Sequence, residues 1–132
     1  MTYLLDTNVC IRYLNGRVPA IRERLEALRP SDVTLCSVVK AELLAGAQKS
    51  QHPEKALANV QKFLAPFRSL PFDDAAAEVY GIIRADLERR GMPIGPYDLQ
   101  IASIALAYDL VLVTHNIREF GRVVGLRVED WE

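Results

Sequence analysis

Two kinds of segment alternate along this chain: short apolar runs that stop abruptly at an acid or a turn residue, and longer stretches with helical periodicity. Tyr3-Leu4-Leu5 breaks at Asp6-Thr7-Asn8, which predicts a strand running into a helix start. The helix spans about Asn8 to Leu14 and ends at Asn15-Gly16, and Pro19 opens another reaching about Arg29. After a turn at Pro30-Ser31-Asp32, Val33 to Cys36 reads as a second strand, feeding a helix through Ser37 to about Gln48. A further helix runs from about Glu54 to Ala65, closed by Pro66. Arg68 to Phe72 is a third short strand, and Asp73 or Asp74 caps a long helix to about Arg90. Beyond the Gly/Pro-rich loop 91–96, Tyr97-Asp98 start a very apolar helix through Tyr108. Leu110 to Thr114 and Leu126 to Val128 complete the set as strands four and five.

Strands alternating with helices imply an α/β fold: a central parallel sheet of about five strands, with helices on both faces. Short connections require right-handed crossovers. Ligands in such sheets bind outside the carboxyl ends of the strands.

At 132 residues the chain is expected to form a single domain over 1–132, large enough to bury roughly two-thirds of its unfolded surface. After Asp98 the longest charge-free run is Leu99 to Tyr108, about half of a bilayer span. The opening residues lack a basic region and meet Asp6 early, so neither a secretion signal nor membrane attachment is expected. The cytosol is the expected compartment. Cys10 and Cys36 form no metal-type or redox-type pair and read as reduced packing residues. His52 and His115 share no zinc-like spacing, which argues against a catalytic zinc centre. The net charge of −1 argues against a general polyanion binder. Yet twelve of the sixteen basic residues are arginines, the side chain suited to forked contacts with phosphate.

The candidate chemistry is a set of acids at the predicted sheet edge. Asp6 follows the first strand, Glu42 lies two turns into the helix after the second, and Asp98 begins the helix feeding the fourth. Thr114 ends that fourth strand, with Asn116 and Glu119 just beyond. Asp6 and Asp98 also suit helix starts, as caps or dipole-favoured acids. Helical geometry speaks against a purely solvated role for the other positions. At about 100° per residue, Glu42 shares a face with Val38 and Val39 while Lys40 points away, and Asp98 aligns with Ile101, Ala102 and Ala105. Acids on inward faces without a basic neighbour must either protonate or share a cation.

An all-oxygen donor set suits magnesium, with manganese as a substitute, rather than zinc or copper. The reaction it suggests is metal-assisted attack of water on a phosphodiester. Asp6 and Asp98 are expected as direct metal ligands, with Glu42 and Glu119 reaching the cation through water or holding a second ion. Thr114 and Asn8 are candidates to orient water or a carboxylate, and Asn116 offers only a neutral amide.

Four segments carry a resemblance. Tyr3-Leu-Leu-Asp-Thr-Asn-Val9, Ser37-Val-Val-Lys-Ala-Glu-Leu-Leu-Ala-Gly46, Ile94-Gly-Pro-Tyr-Asp-Leu-Gln-Ile-Ala102 and Thr114-His-Asn-Ile-Arg-Glu-Phe120 resemble, in order, the motif regions of PIN-domain nucleases. The chain looks closest to the VapC-type toxins of bacterial toxin–antitoxin pairs. The ending Gly125-Leu-Arg-Val-Glu-Asp-Trp131 is similar to the subgroup that cleaves initiator tRNA in its anticodon stem-loop. The resemblance implies a PIN-like three-layer sandwich, an endoribonuclease acting on RNA, a homodimer, and a VapB-type antitoxin that blocks the active site. It places the family's acids on Asp6, Glu42 and Asp98. Many PIN domains carry Asp where this chain has Asn116, and Glu119 is the substitute that the subgroup's pattern implies.

Other readings account for less of the sequence. A phosphoacceptor receiver domain needs an acidic pair after strand one and a lysine after strand five, but this chain has a single Asp6 there and no lysine beyond Lys62. A haloacid-dehalogenase-like phosphatase needs a second aspartate where Asn8 stands. A housekeeping RNA-processing nuclease, or a PIN-like domain that binds without cutting, stay as alternatives. Candidate RNA contacts are Arg12, Arg17, Lys40, Lys49, Arg89, Arg90, Arg118 and Arg122, several of which flank the acids. Tyr97, beside Asp98, could stack on a flipped base or serve as core or rim. Phe63, Phe67 and Trp131 are candidates for an apolar partner surface.

Overall fold

A computed structural model describes all residues from Met1 to Glu132. Five parallel strands form one sheet in the order β3-β2-β1-β4-β5: β1 Tyr3–Leu5, β2 Val33–Cys36, β3 Arg68–Leu70, β4 Val111–Val113 and β5 Val128–Glu129. Seven helices connect them: α1 Thr7–Asn15, α2 Pro19–Glu26, α3 Ser37–Gln48, α4 Pro53–Leu64, α5 Asp74–Arg89, α6 Pro96–Ala107 and α7 Ile117–Phe120. All four residues of β2 and all three of β4 are buried although successive side chains point to opposite faces. Both faces of the sheet are therefore covered, the three-layer arrangement expected from apolar strands without polar alternation.

One connected core of thirty buried residues runs through these layers, from Leu4 and Leu5 on β1 to Leu112 and Val113 on β4. α3 packs on α4 and α5 on α6. Cys10 and Cys36 lie fully inside as free thiols. Burial pushes the Cys10 thiol well up and the Cys36 thiol up, and the nearby Asp6 carboxylate adds to both. Both cysteines act as small apolar residues.

Several boundaries differ from the sequence expectation, each for a local reason. α2 stops at Glu26 because Arg29 precedes Pro30 and takes an extended conformation, its N–H accepted by Asp32 in a 3-10 turn over Pro30–Asp32. β3 stops at Leu70 because Pro71 has no N–H for the ladder. α6 starts at Pro96, in its first turn, where a missing N–H costs nothing. β5 starts two residues later than expected, since Leu126 still closes a turn onto Val123 and Gly125 holds φ at +84°. α7 was not foreseen.

The strands turn outward from the middle of the sheet: β1 leads to β2 and β3 on one side, β4 to β5 on the other. The order reverses between β1 and β4, so their carboxyl ends flank a crevice that no crossover covers. Asp6 and Thr114 are the residues directly after those two strands.

Candidate active site

Asp6 is 5 % exposed and does two jobs. Its Oδ1 accepts the Thr7 N–H at 2.9 Å, which caps α1, and its Oδ2 accepts the Thr114 hydroxyl at 2.8 Å. The cap and the inward acid are thus one residue. Burial raises its carboxyl above the ordinary carboxylate range; the bonds from Thr114 and Thr7 work against that rise, and Glu42 adds to it.

Glu42, half-buried on α3, accepts the Thr7 hydroxyl at 2.7 Å through Oε1. This fixes its rotamer towards Asp6. Lys40, two residues earlier, is exposed, as the helical phase requires. Asp98 sits in the first turn of α6, partly buried. Its carboxyl is pushed up to about 6, first by burial and then by Asp6, Glu119 and Glu42 in turn. Four acids from four parts of the chain therefore share one local field.

Glu119 reaches this field through α7. Asn116 caps that helix by accepting the Glu119 N–H at 3.4 Å, while its own amide donates to Glu119 Oε2 at 3.1 Å. The Asn116 N–H in turn donates to Thr114 Oγ1 at 3.0 Å. A continuous chain of hydrogen bonds links Glu119, Asn116, Thr114 and Asp6. Asn116 thus holds Glu119 with its amide. Its pattern, Asn followed three residues later by Glu, is a helix-start signal that could have revealed α7 from the sequence.

Thr7 is the residue that sequence reading passed over. It is buried and bridges Asp6 and Glu42, one by its N–H and one by its hydroxyl. Asn8, the expected supporting residue, is exposed and joins no side-chain hydrogen bond. The reason is the turn: at N1 of α1 the side chain faces the crevice, and one residue later, about 100° on, it faces water.

None of the eight ion pairs in the molecule involves Asp6, Glu42, Asp98 or Glu119. The arrangement is electrostatically uncompensated by the protein. Its donors are all oxygens, the chemistry of a hard divalent cation rather than of zinc or copper. The residues present fit such an ion. A separate group, His115 with Asp130 at 3.0 Å and Glu132 at 3.5 Å, lies exposed on the rim. There Arg12 also holds Glu132, and the group ties the C-terminal residues down as an ion-pair network.

Among the basic candidates, Arg12 and Arg90 are engaged by Glu132 and Asp86, and Arg122 donates to the Pro93 carbonyl. Arg17, Lys40, Lys49, Arg89 and Arg118 have no acidic partner. Tyr97 is 60 % exposed rather than core. Phe63 and Trp131 are buried. Trp131 packs edge-on to Tyr3 at 5.4 Å under the Arg24 guanidinium, so it is a core residue and no partner surface.

A groove of about 1060 Å³ runs between α1, α2, α3 and α4 and reaches Glu42. Over half of its lining is apolar, and Ile11, on its wall, is 43 % exposed. No helix of the molecule is long and apolar enough to cross a membrane.

The chain is similar to known proteins along its whole length. The family model described as PIN domain matches residues 3–126. The tRNA(fMet)-specific endonuclease VapC of Shigella flexneri is 44 % identical over 131 residues, covering 99 % of this chain and 98 % of that protein. The crystal structure of DNA-bound VapBC from Salmonella typhimurium superposes with a TM-score of 0.94 at 43 % identity, over 100 % of this chain and 99 % of that one. VapBC2 from Rickettsia felis, bound to a DNA fragment from its promoter, gives 0.93 at 36 % identity, with full coverage of both chains.

Proposed function

The chain belongs to the PIN-domain family, and on that premise we propose that it is a magnesium-dependent endoribonuclease, the toxin of a toxin–antitoxin pair, cutting initiator tRNA in its anticodon stem-loop. One observation carries the reading: Asp6, Glu42, Asp98 and Glu119 converge at the switch point of the sheet with no basic side chain to neutralise them.

When bound, a hard divalent cation supplies Lewis-acid help to water attacking the phosphodiester and to the departing oxygen. Asp6, Asp98 and Glu42 are the residues that would hold it. Glu119 stands beside them, steadied by the Asn116 amide. Thr114 and Thr7 each donate a hydroxyl to one acid, so those carboxylates present their remaining lone pairs in fixed directions. The raised Asp98 carboxyl keeps its proton more readily than an ordinary aspartate, and would have to be ionised to serve as a ligand. The buried position of Asp6 limits water's access to that end of the site.

The groove beside Glu42 favours a VapB-type antitoxin as partner. Over half of its lining is apolar and Glu42 is part of it, so a segment lying there would adjoin the acids. The relatives solved as VapBC complexes support this pairing. A cytoplasmic, homodimeric protein made of one domain over 1–132 is the form in which we expect it to act.

The test is direct. Purified protein with magnesium and total tRNA should yield one dominant pair of new RNA ends, within the initiator tRNA anticodon stem-loop. Cleavage scattered over many RNAs, or cleavage undiminished by EDTA, would overturn the assignment.

A further inference from the structure

A second recess, of about 640 Å³, lies between α3 and the start of α6. We propose that it holds a nucleobase of the RNA next to the bond being cut, with Tyr97 as the stacking surface. The proposal rests on the ribonuclease reading and names how the same site grips its substrate.

Glu42 lines both this recess and the acidic cluster. An occupant of the recess therefore adjoins the place where the scissile phosphate must sit. The volume falls within the roughly 300–1,000 Å³ typical of small-ligand sites. Its floor is made of short side chains: Ala41 and Ala45, one helical turn apart, and Gly46.

The walls supply what a base needs. The Tyr97 ring is 60 % exposed and its hydroxyl makes no hydrogen bond, so the fold does not use either part of the side chain. Its backbone is rigid, placed in the first turn of α6 between Pro96 and the inward Asp98. A fixed aromatic face stacks on a base with little loss of freedom. Gln100, three residues on, faces the same recess with an amide free of any intramolecular partner, and such an amide can read a base edge in both directions. Lys49, at the end of α3, has no acidic partner and can meet a flanking phosphate. The exposed ring, the free amide and the unpaired ammonium together suit a base and its flanking phosphate.

The experiment places 2-aminopurine at each nucleotide flanking the cut in an initiator tRNA anticodon stem-loop, and reads its fluorescence on binding. Asp98→Asn protein keeps the RNA intact during the measurement. At one flanking position, quenching should appear, persist with Tyr97→Phe added and vanish with Tyr97→Ala. In otherwise unaltered enzyme, Tyr97→Ala should lower kcat/KM roughly tenfold or more, mainly through KM. Gln100→Ala should weaken discrimination between bases at that position and serves as a second variant if Tyr97→Ala misfolds. Quenching that survives Tyr97→Ala overturns the proposal. So does a Tyr97→Ala variant whose molar mass changes by light scattering while RNA affinity stays the same, which would make the recess a contact between copies. If unaltered protein leaves every RNA intact, the ribonuclease reading fails, and quenching on intact RNA still decides the base site separately.

Discussion

Thr114 donates its hydroxyl to Asp6 at 2.8 Å across 108 residues of chain. The two residues directly follow β1 and β4, the adjacent parallel strands between which the strand order reverses. Because Thr114 Oγ1 also accepts the Asn116 N–H, one hydroxyl joins both halves of the sheet to the helix that carries Glu119.

Thr114→Val should therefore cost stability and activity together. It keeps the shape but removes a donor to a buried carboxylate and strands an N–H, a loss of about 1.5–3 kcal/mol for a bond to a charged group. Thr114→Ser should restore most of both. Thermal melts with and without magnesium, alongside cleavage rates, measure this; equal behaviour of the Val and Ser variants would contradict it.

Asp98→Asn should abolish cleavage while leaving the metal-free protein as stable as before, or more so. Removing one acid relieves repulsion among four, and loss of a direct ligand should exceed the roughly 10- to 100-fold cost of losing an outer partner. The accompanying readout is the melting temperature: magnesium should raise it in the parent protein and barely move it in the variant.

The pH dependence has a definite sign. In the fold, Asp98 binds its proton up to about pH 6, whereas the unfolded carboxyl releases it near 3.8. Between those values the folded state holds more protons, so metal-free stability falls as pH rises and is lowest above 6. The raised Asp6 carboxyl acts in the same direction. The advantage of Asp98→Asn over the parent should thus widen from pH 4 to pH 7 without metal and close when magnesium is added. Magnesium affinity should climb over the same interval, which calorimetric titration would follow.

Asn116→Asp tests the departure from the common family pattern. The amide that donates to Glu119 Oε2 would become a second carboxylate facing it. The metal-free melting temperature should fall by several degrees, since about 1 kcal/mol shifts it by roughly 2–8 °C in domains of this size class. The magnesium concentration giving half-maximal cleavage should change with it. An unaltered metal response would mean that Glu119 and Asn116 lie outside the cation's reach.

Ile11→Glu probes the groove. The side chain is already 43 % exposed, so the fold should tolerate the charge, while an apolar antitoxin segment should not. Cells making the variant together with the cognate antitoxin should stop growing, whereas the parent pair should remain viable. Pull-down of the complex gives the same answer in vitro.

Much of this could be read along the chain, and the failures are informative. Apolar runs and helical periods, with the turn residues that bound them, indicated five strands and the first six helices; the inner strands β1, β2 and β4 carry the apolar runs, while the exposed edge strand β3 is marked off by Pro66 and Pro71. The inward phase of Glu42 and Asp98 followed from the same arithmetic. Thr7 escaped because a threonine at a helix start has an ordinary capping explanation, and only the position of α3 shows what its hydroxyl meets. Trp131 looked available for a partner because sequence proximity to the end of the chain says nothing of burial; Tyr3, 128 residues away, covers it.

Local sequence alone determined most elements and the parallel sheet and put forward the candidate acids, since these depend on spacing within a dozen residues. The tertiary structure decided which donors steady Asp6, Glu42 and Glu119, which residue at the first turn faces the crevice, and that none of the four acids is held in an ion pair. Those outcomes depend on pairings across the sheet, where direction and distance are set by packing that no stretch of sequence contains.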